Sequence, residues 1–159
     1  MLDRSHRKLE EKIGELRAAA ESIARGAPDD DALEVVSDVL SFFDRSVARH
    51  EADEEESLFP RLRGRGIDPV IDTLSDEHRE HTRLLYRLRE LQQSWQGRAP
   101  DAERGQHLVR LVNELDADYT RHLGLEDERL FPAAKQLLGP AELESIALEM
   151  QARRGRDAG

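Results

Sequence analysis

The sequence predicts an all-α protein: an antiparallel up-down-up-down four-helix bundle with a short fifth helix at its C-terminal end. Three observations predict it. Charged residues make up 36% and aromatics only 4%, and Leu, Ala, Glu and Arg dominate, which suits long helices. Apolar residues recur by threes and fours over long stretches, the period of a helix with one buried face. The breaks between these stretches are short and rich in Gly, Pro and Asp, so consecutive helices become antiparallel neighbours. At 159 residues the chain is sized for one domain, placed at 1–154, with 155–159 expected as a frayed tail.

The first helix is expected from about Asp3 to Arg25, with Leu2, Leu9, Ile13, Leu16, Ala20 and Ile23 on one face and His6 among them. Gly26-Ala27-Pro28 stops it, and an Asp in 29–31 is available to cap the next. The second helix, roughly Ala32 to Leu62, carries Leu33, Val36, Leu40, Phe43, Val47, His50, Glu54 and Leu58 on its seam. Pro60 should kink or end it near Leu58, because proline removes a helix hydrogen bond. Asp68-Pro69 opens the third, whose seam reads Ile71, Leu74, His78, His81, Leu85, Leu88, Gln92 and Trp95. The fourth, about Asp101 to Leu138, places Leu108, Val112, Leu115, Tyr119, His122, Glu126 and Leu130 inward, with Pro132 as interruption. Gly139-Pro140 starts the fifth, Ala141 to about Arg153.

The balance of charges excludes several functions. The formal net charge is −10 and no basic stripe appears, so a nucleic-acid partner is not expected. There are no cysteines, which removes disulfides, thiolate metal sites and cysteine nucleophiles. No run approaches the roughly 18 apolar residues of a membrane helix, and the N-terminus lacks a signal-peptide core. The expectation is a soluble cytoplasmic protein without membrane contact.

A short pattern occurs twice: His50-x-x-x-Glu54 followed by Leu58-Phe59-Pro60, and His122-x-x-x-Glu126 followed by Leu130-Phe131-Pro132. The copies are 72 residues apart, and the same offset pairs His6 with His78. Residues four apart on a helix point the same way, so each His-x-x-x-Glu offers an imidazole and a carboxylate to one point. A buried carboxylate on a seam is costly unless something neutralises it. Four histidines and two carboxylates are too many for one tetrahedral zinc and suit two metals, with the carboxylates able to bridge. Imidazole with carboxylate admits iron, manganese or zinc and argues against calcium and magnesium.

From His6 to Pro132 this constellation resembles the hemerythrin-like family, the His-His-Glu cation-binding domains. The resemblance implies a non-haem centre of two iron ions with an oxo or hydroxo bridge. It implies His6 and His50 on one iron, His78 and His122 on the other, and Glu54 and Glu126 between them. It further implies a small diatomic ligand, O2 or NO, or peroxide as the reacting partner. The chain departs from the oxygen-carrying hemerythrins, which use His-x-x-x-His on the third helix; here position 82 is Thr and the extra histidine is His81. Those proteins also use His-x-x-x-x-Asp on the last helix, where the pattern used here is His122-x-x-x-Glu126.

The remaining polar residues keep alternative readings. His81 is a metal ligand, a hydrogen-bonding partner of one, or a polar seam residue. Tyr119 is a core aromatic with its hydroxyl on a partner, an outer donor, or a phenolate ligand. Glu77 is surface charge or a carboxylate that orients a ligand histidine. Glu51 and Glu55 are expected in solvent, and His107 is ordinary. Three functions remain in play: binding of a diatomic ligand for storage, sensing or detoxification; an oxidoreductase of peroxidase, ferroxidase or NO-reducing type; and an iron- or oxygen-responsive regulatory module.

Overall fold

A computed structural model describes residues 2–26, 28, 30–95, 97–98 and 100–156. The side chain of Leu2 and residues 27 and 29 fall outside this set, and with them the first stripe position and part of the expected Asp cap.

Helix α1 is Leu2–Ala24. It ends where Gly26 takes a φ of 81°, a left-handed value glycine tolerates, and donates its N–H to the Ile23 carbonyl at 3.0 Å. Helix α2 covers 30–62 as three α segments, Asp30–Phe42, Ala48–Asp53 and Phe59–Leu62, joined by π turns at Phe43–Val47 and Glu54–Leu58. Helix α3 is Asp68–Gln93, with proline in its first turn as the Asp68-Pro69 pair predicts. Helix α4 covers 102–137 as Ala102–Leu125, a π turn at Glu126–Leu130, and Phe131–Leu137. The Asp101 carboxylate caps it by accepting from the Arg104 N–H at 2.9 Å. Helix α5, Pro140–Arg156, runs beyond the expected end at Arg153. The last three residues lie outside the described set.

Each neighbouring pair of the first four helices is antiparallel. Along α1 and α4, His6 meets Glu126 and Arg17 meets Asp116. Along α2 and α3, Ser37 meets Gln92 and Glu54 meets His78. Along α3 and α4, Glu77 meets His122 and Arg87 meets Glu114. This is the expected up-down-up-down bundle, and α5 folds back along its side, antiparallel to the C-terminal half of α2, from Glu142 near Arg65 to Arg153 at Asp53. Arg65 on the α2–α3 loop bridges to Glu142 of α5 at 2.6 Å.

Two apolar cores fill the bundle. The larger includes Ile13, Leu16, Ile23, Phe43, Leu84, Leu108 and Leu115, each at most 2% exposed. The smaller includes Phe59, Leu62, Ile71, Leu74 and Leu130. Between them lies a layer of buried histidines and carboxylates. At the far end of the larger core, α1 and α4 approach so closely that a Cβ on Gly105 would stand 2.7 Å from the Ala24 backbone. Only glycine fits there.

Of the two outcomes expected at Pro60, a kink or an end near Leu58, the end does not form. The helix continues through the proline, and likewise through Pro132. In each case a π turn precedes the proline: the Phe59 N–H bonds back to the Glu54 carbonyl, and the Phe131 N–H to the Glu126 carbonyl. The wider turn lets the chain pass a residue that lacks an N–H and crowds the preceding turn. Among the described residues, the third π turn, Phe43–Val47, breaks the internal repeat, because the stretch 72 residues on lies inside ordinary α-helix.

Candidate metal centre

The two π turns that precede the prolines begin at Glu54 and Glu126, the carboxylates of the repeated motif. Each motif histidine sits one α turn earlier, so the pairs project into the middle of the bundle. Glu54 is 2% exposed and Glu126 0%; His6, His78 and His122 are buried as well. His50 is the exception, with 18% of its side chain exposed.

The donor atoms converge. Glu126 Oε2 lies 2.9 Å from His6 Nε2 and 3.7 Å from His50 Nε2, while its Oε1 lies 2.7 Å from His122 Nε2. Glu54 Oε1 is 3.0 Å from His50 Nε2 and its Oε2 is 3.1 Å from His78 Nε2. Each carboxylate therefore turns one oxygen to the His6–His50 side and the other to the His78–His122 side. Among the described residues, two overlapping clusters could each hold a metal ion: Glu54, His78, His122 and Glu126; and His6, His50 and Glu126.

None of these close contacts has hydrogen-bond geometry. All four oxygens of Glu54 and Glu126, and the Nε2 atoms of His6, His50 and His78, are buried without a hydrogen-bond partner. Such a set of orphaned donors and acceptors around one point is costly in a folded protein. Cations between them would satisfy every one, and the nitrogen–oxygen set suits iron, manganese or zinc. The residues fit the centre the family implies.

Without a cation, protons take its place. Burial opposes charge on His50, but Glu126 and Glu54 outweigh it and hold its pKa up at about 11. His78 is held at about 9 in the same way, against burial, chiefly by Glu54 and Glu51. His6 and His122 are also raised, in both cases by Glu126 against burial. For Glu126 burial works the other way, yet the surrounding imidazoles keep it well below the usual carboxylate range.

Carboxylates stand behind three imidazoles and hydrogen-bond two of them. His78 Nδ1 donates to Glu55 at 2.7 Å and His122 Nδ1 donates to Glu77 at 2.9 Å. His6 Nδ1 lies 3.2 Å from Asp127, out of line for a hydrogen bond. Such partners fix the ring and its tautomer, leaving Nε2 free to bind. Glu55 is thus not simply in solvent as expected, and Glu77 takes the orienting role. Sequence reasoning missed Asp127, although the 72-residue offset from Glu55 points to it. Asp127 also stands five residues after His122, yet it faces His6 from outside while Glu126 turns inward. By the repeat, the place Glu77 holds beside His122 falls to Ser5 beside His50.

His81 stands apart from both clusters. It is fully buried, its Nδ1 is 3.4 Å from Glu51, and its Nε2 has no partner. Burial lowers its pKa, so it is neutral at pH 7. Tyr119 stacks on it at 3.8 Å between ring centroids and donates its hydroxyl to Glu51 at 3.2 Å. Burial, then the nearby Glu51 charge, pushes the Tyr119 phenol well above its ordinary pKa, which keeps it protonated. Tyr119 is therefore a core aromatic with its hydroxyl on a partner. Glu51, expected in solvent, is drawn inward by that tyrosine and His81. His107 is exposed on the surface, as expected.

Openings reach the layer from more than one face, and one of them runs past Glu51 and Glu55 to His78. A cavity of about 620 Å³ reaches His50 and Glu54 from the groove between the bundle and α5. Its walls are mostly apolar, with Leu58, Phe131, Ile146 and Met150 among them, and Lys8 and Lys135 stand at its polar edge. No described helix is long and apolar enough to cross a membrane.

Comparison with known proteins agrees with this geometry. The family model described as "Hemerythrin HHE cation binding domain" matches residues 1–134. The chain is also similar to the "Iron-sulfur cluster repair protein DnrN" of Neisseria gonorrhoeae. The two are 30% identical over 136 residues, covering 82% of this chain and 85% of that protein.

Proposed function

Since the chain belongs to the hemerythrin HHE cation-binding family, we propose that it holds two iron ions and binds a diatomic ligand, O2 or NO, for storage, sensing or detoxification. His6 and His50 would hold one ion and His78 and His122 the other, with Glu54 and Glu126 spanning both. The observation that carries this reading is the layer of orphaned, buried Nε2 and carboxylate oxygen atoms at mid-height of the bundle. When bound, iron supplies redox capacity and open coordination positions.

The chain's own residues do the rest. Glu55 and Glu77 hold His78 and His122 with Nε2 toward the centre. The two apolar cores exclude water above and below the layer. The cavity beside His50 gives a small ligand its way in. On the opposite side, Tyr119, Glu51 and His81 keep polar groups near His78 and His122, and a second cleft lined by Glu51 and Glu55 reaches His78.

A second reading is favoured by the relative's name: a part in repairing iron-sulfur clusters, with the centre's iron as cargo. The opening at His50 suits an ion that leaves as well as a ligand that enters. One experiment tests both. Purified protein is loaded with iron, assayed for metal and titrated with NO or O2 after reduction. Two irons per chain and a saturable, reversible visible absorption change support the first reading. Iron that passes to an apo iron-sulfur protein, with no such change, supports the second. A protein that takes up no iron excludes both.

A further inference from the structure

The family match stops at residue 134, yet α5 reaches back to the candidate centre. Arg153, only 9% exposed, donates from Nε to Asp53 Oδ1 at 3.0 Å and from Nη1 to Ser57 Oγ at 3.1 Å, with Nη2 also on that hydroxyl. Arg154 reaches the other Asp53 oxygen at 3.1 Å. Arg61 bonds the Ser57 carbonyl at 2.7 Å and pairs with Glu149 of α5 at 2.6 Å. Asp53 is 4% exposed and Ser57 0%.

The position of these partners matters. Asp53 immediately precedes Glu54, and Ser57 lies inside the π turn Glu54–Leu58. Arg153 thus grips the chain just before the Glu54 turn, at Asp53, and within it, at Ser57. Among the described residues the second copy has no such grip: 72 residues on, Asp53 and Ser57 are replaced by Leu125 and Arg129. A π turn is an uncommon backbone geometry that neighbouring contacts must sustain. A buried ion pair is a poor source of net stability but a good way of fixing one arrangement.

We propose that Arg153 is a positioning residue for Glu54. Docking of α5 fixes the first π turn and so aims the carboxylate that touches both His50 and His78. The centre's hold on metal then depends on a helix outside the matched family domain. The role in metal binding rests on the reading of the previous section; the grip on the turn does not.

The test compares Arg153→Met with Arg65→Gln, which loosens the Arg65–Glu142 contact of α5 without touching the π turn. Hydrogen exchange of the Phe59 amide, the donor to the Glu54 carbonyl, reports the turn in metal-free protein. Phe131 reports the second turn. Release of iron to a chelator reports the centre. Arg153→Met is expected to speed Phe59 exchange and iron release at least tenfold, leaving Phe131 unchanged. Arg153→Lys should restore part of both, and Arg65→Gln should alter neither. Should Arg153→Met fail to fold, the double variant Asp53→Asn, Arg153→Met leaves no unpaired buried charge and carries the same expectation. Equal responses at Phe59 and Phe131, the same effects in Arg65→Gln, or no change in Phe59 would overturn the proposal. A Phe59 response in a protein that takes up no iron upholds the grip and removes the di-iron reading instead.

Discussion

Tyr119 donates its hydroxyl to the Glu51 carboxylate across 3.2 Å, and His81 stacks on the tyrosine ring. The internal repeat puts Val47, Leu123 and Leu9 in the places of Tyr119, Glu51 and His81. All three of those counterparts are buried. The centre therefore has a polar flank beside His78 and His122 and an apolar one beside His6 and His50. The two candidate metal clusters, built from the same motif, are made unequal by what stands behind them.

Removing one hydrogen bond should measure that flank. Tyr119→Phe keeps the ring and deletes the donor, so the Glu51 carboxylate loses a partner. The loss should cost on the order of 1 kcal/mol, read as a lowered denaturant midpoint with unchanged helix content. Thr at 119 would combine a cavity with the lost bond and should cost more. An unchanged midpoint in Tyr119→Phe would show the bond to be idle.

The proposed bridging by Glu54 and Glu126 predicts a stoichiometry. Glu126→Ala withdraws an oxygen from both sides, so iron content should fall to well under one ion per chain. His50→Ala withdraws a donor from one side only, and about one ion should remain. Metal analysis of the two purified variants decides it; equal iron in both would contradict the shared-carboxylate arrangement.

The metal-free protein should weaken as pH rises. His50 and His78 are held at about 11 and about 9, above the 6.5 of an ordinary histidine. Below pH 6.5 folded and unfolded chains both carry these protons, and the full stabilisation is present. Between 6.5 and 11 the folded chain binds more protons than the unfolded one, so stability drops as pH climbs. Calorimetry of metal-free protein should give a melting temperature that falls from pH 7 to pH 10. Iron-loaded protein, whose imidazoles are already deprotonated, should show a flatter profile. A rising melting temperature in the metal-free sample would contradict the proton-for-metal exchange.

Gly105→Ala tests the α1–α4 crossing. The new methyl carbon would stand 2.7 Å from the Ala24 backbone, so the helices must separate. Destabilisation of about 1–3 kcal/mol is expected, although alanine is the better helix former. Gly14→Ala, with open space around it, serves as the control and should not destabilise.

Much of this was legible in the sequence because two periods coincide. The three-four spacing drew the helices, and the 72-residue offset tied His6 to His78 and His50-Glu54 to His122-Glu126. The π turns were not legible, since a proline after Leu-Phe reads as a kink or an end; only the tertiary layer around Glu54 and Glu126 makes a widened turn worthwhile. Glu51 and Glu55 read as solvated because their own helix gives no hint of the imidazoles on α3 that meet them. Arg153 was hidden for a similar reason: its partners, Asp53 and Ser57, lie a hundred residues away and follow no period.

The widened turns at Glu54 and Glu126 also have a meaning in chain length. Each amounts to one extra residue slipped into a helix, and a single residue is worth about 100° of rotation. Delete Ser57 or Arg129 and the straightened rod could aim either its upper or its lower leucines inward, never both. The distance in residues between the two leucine sets, rather than any one side chain, is what keeps the acids at their level and facing the axis.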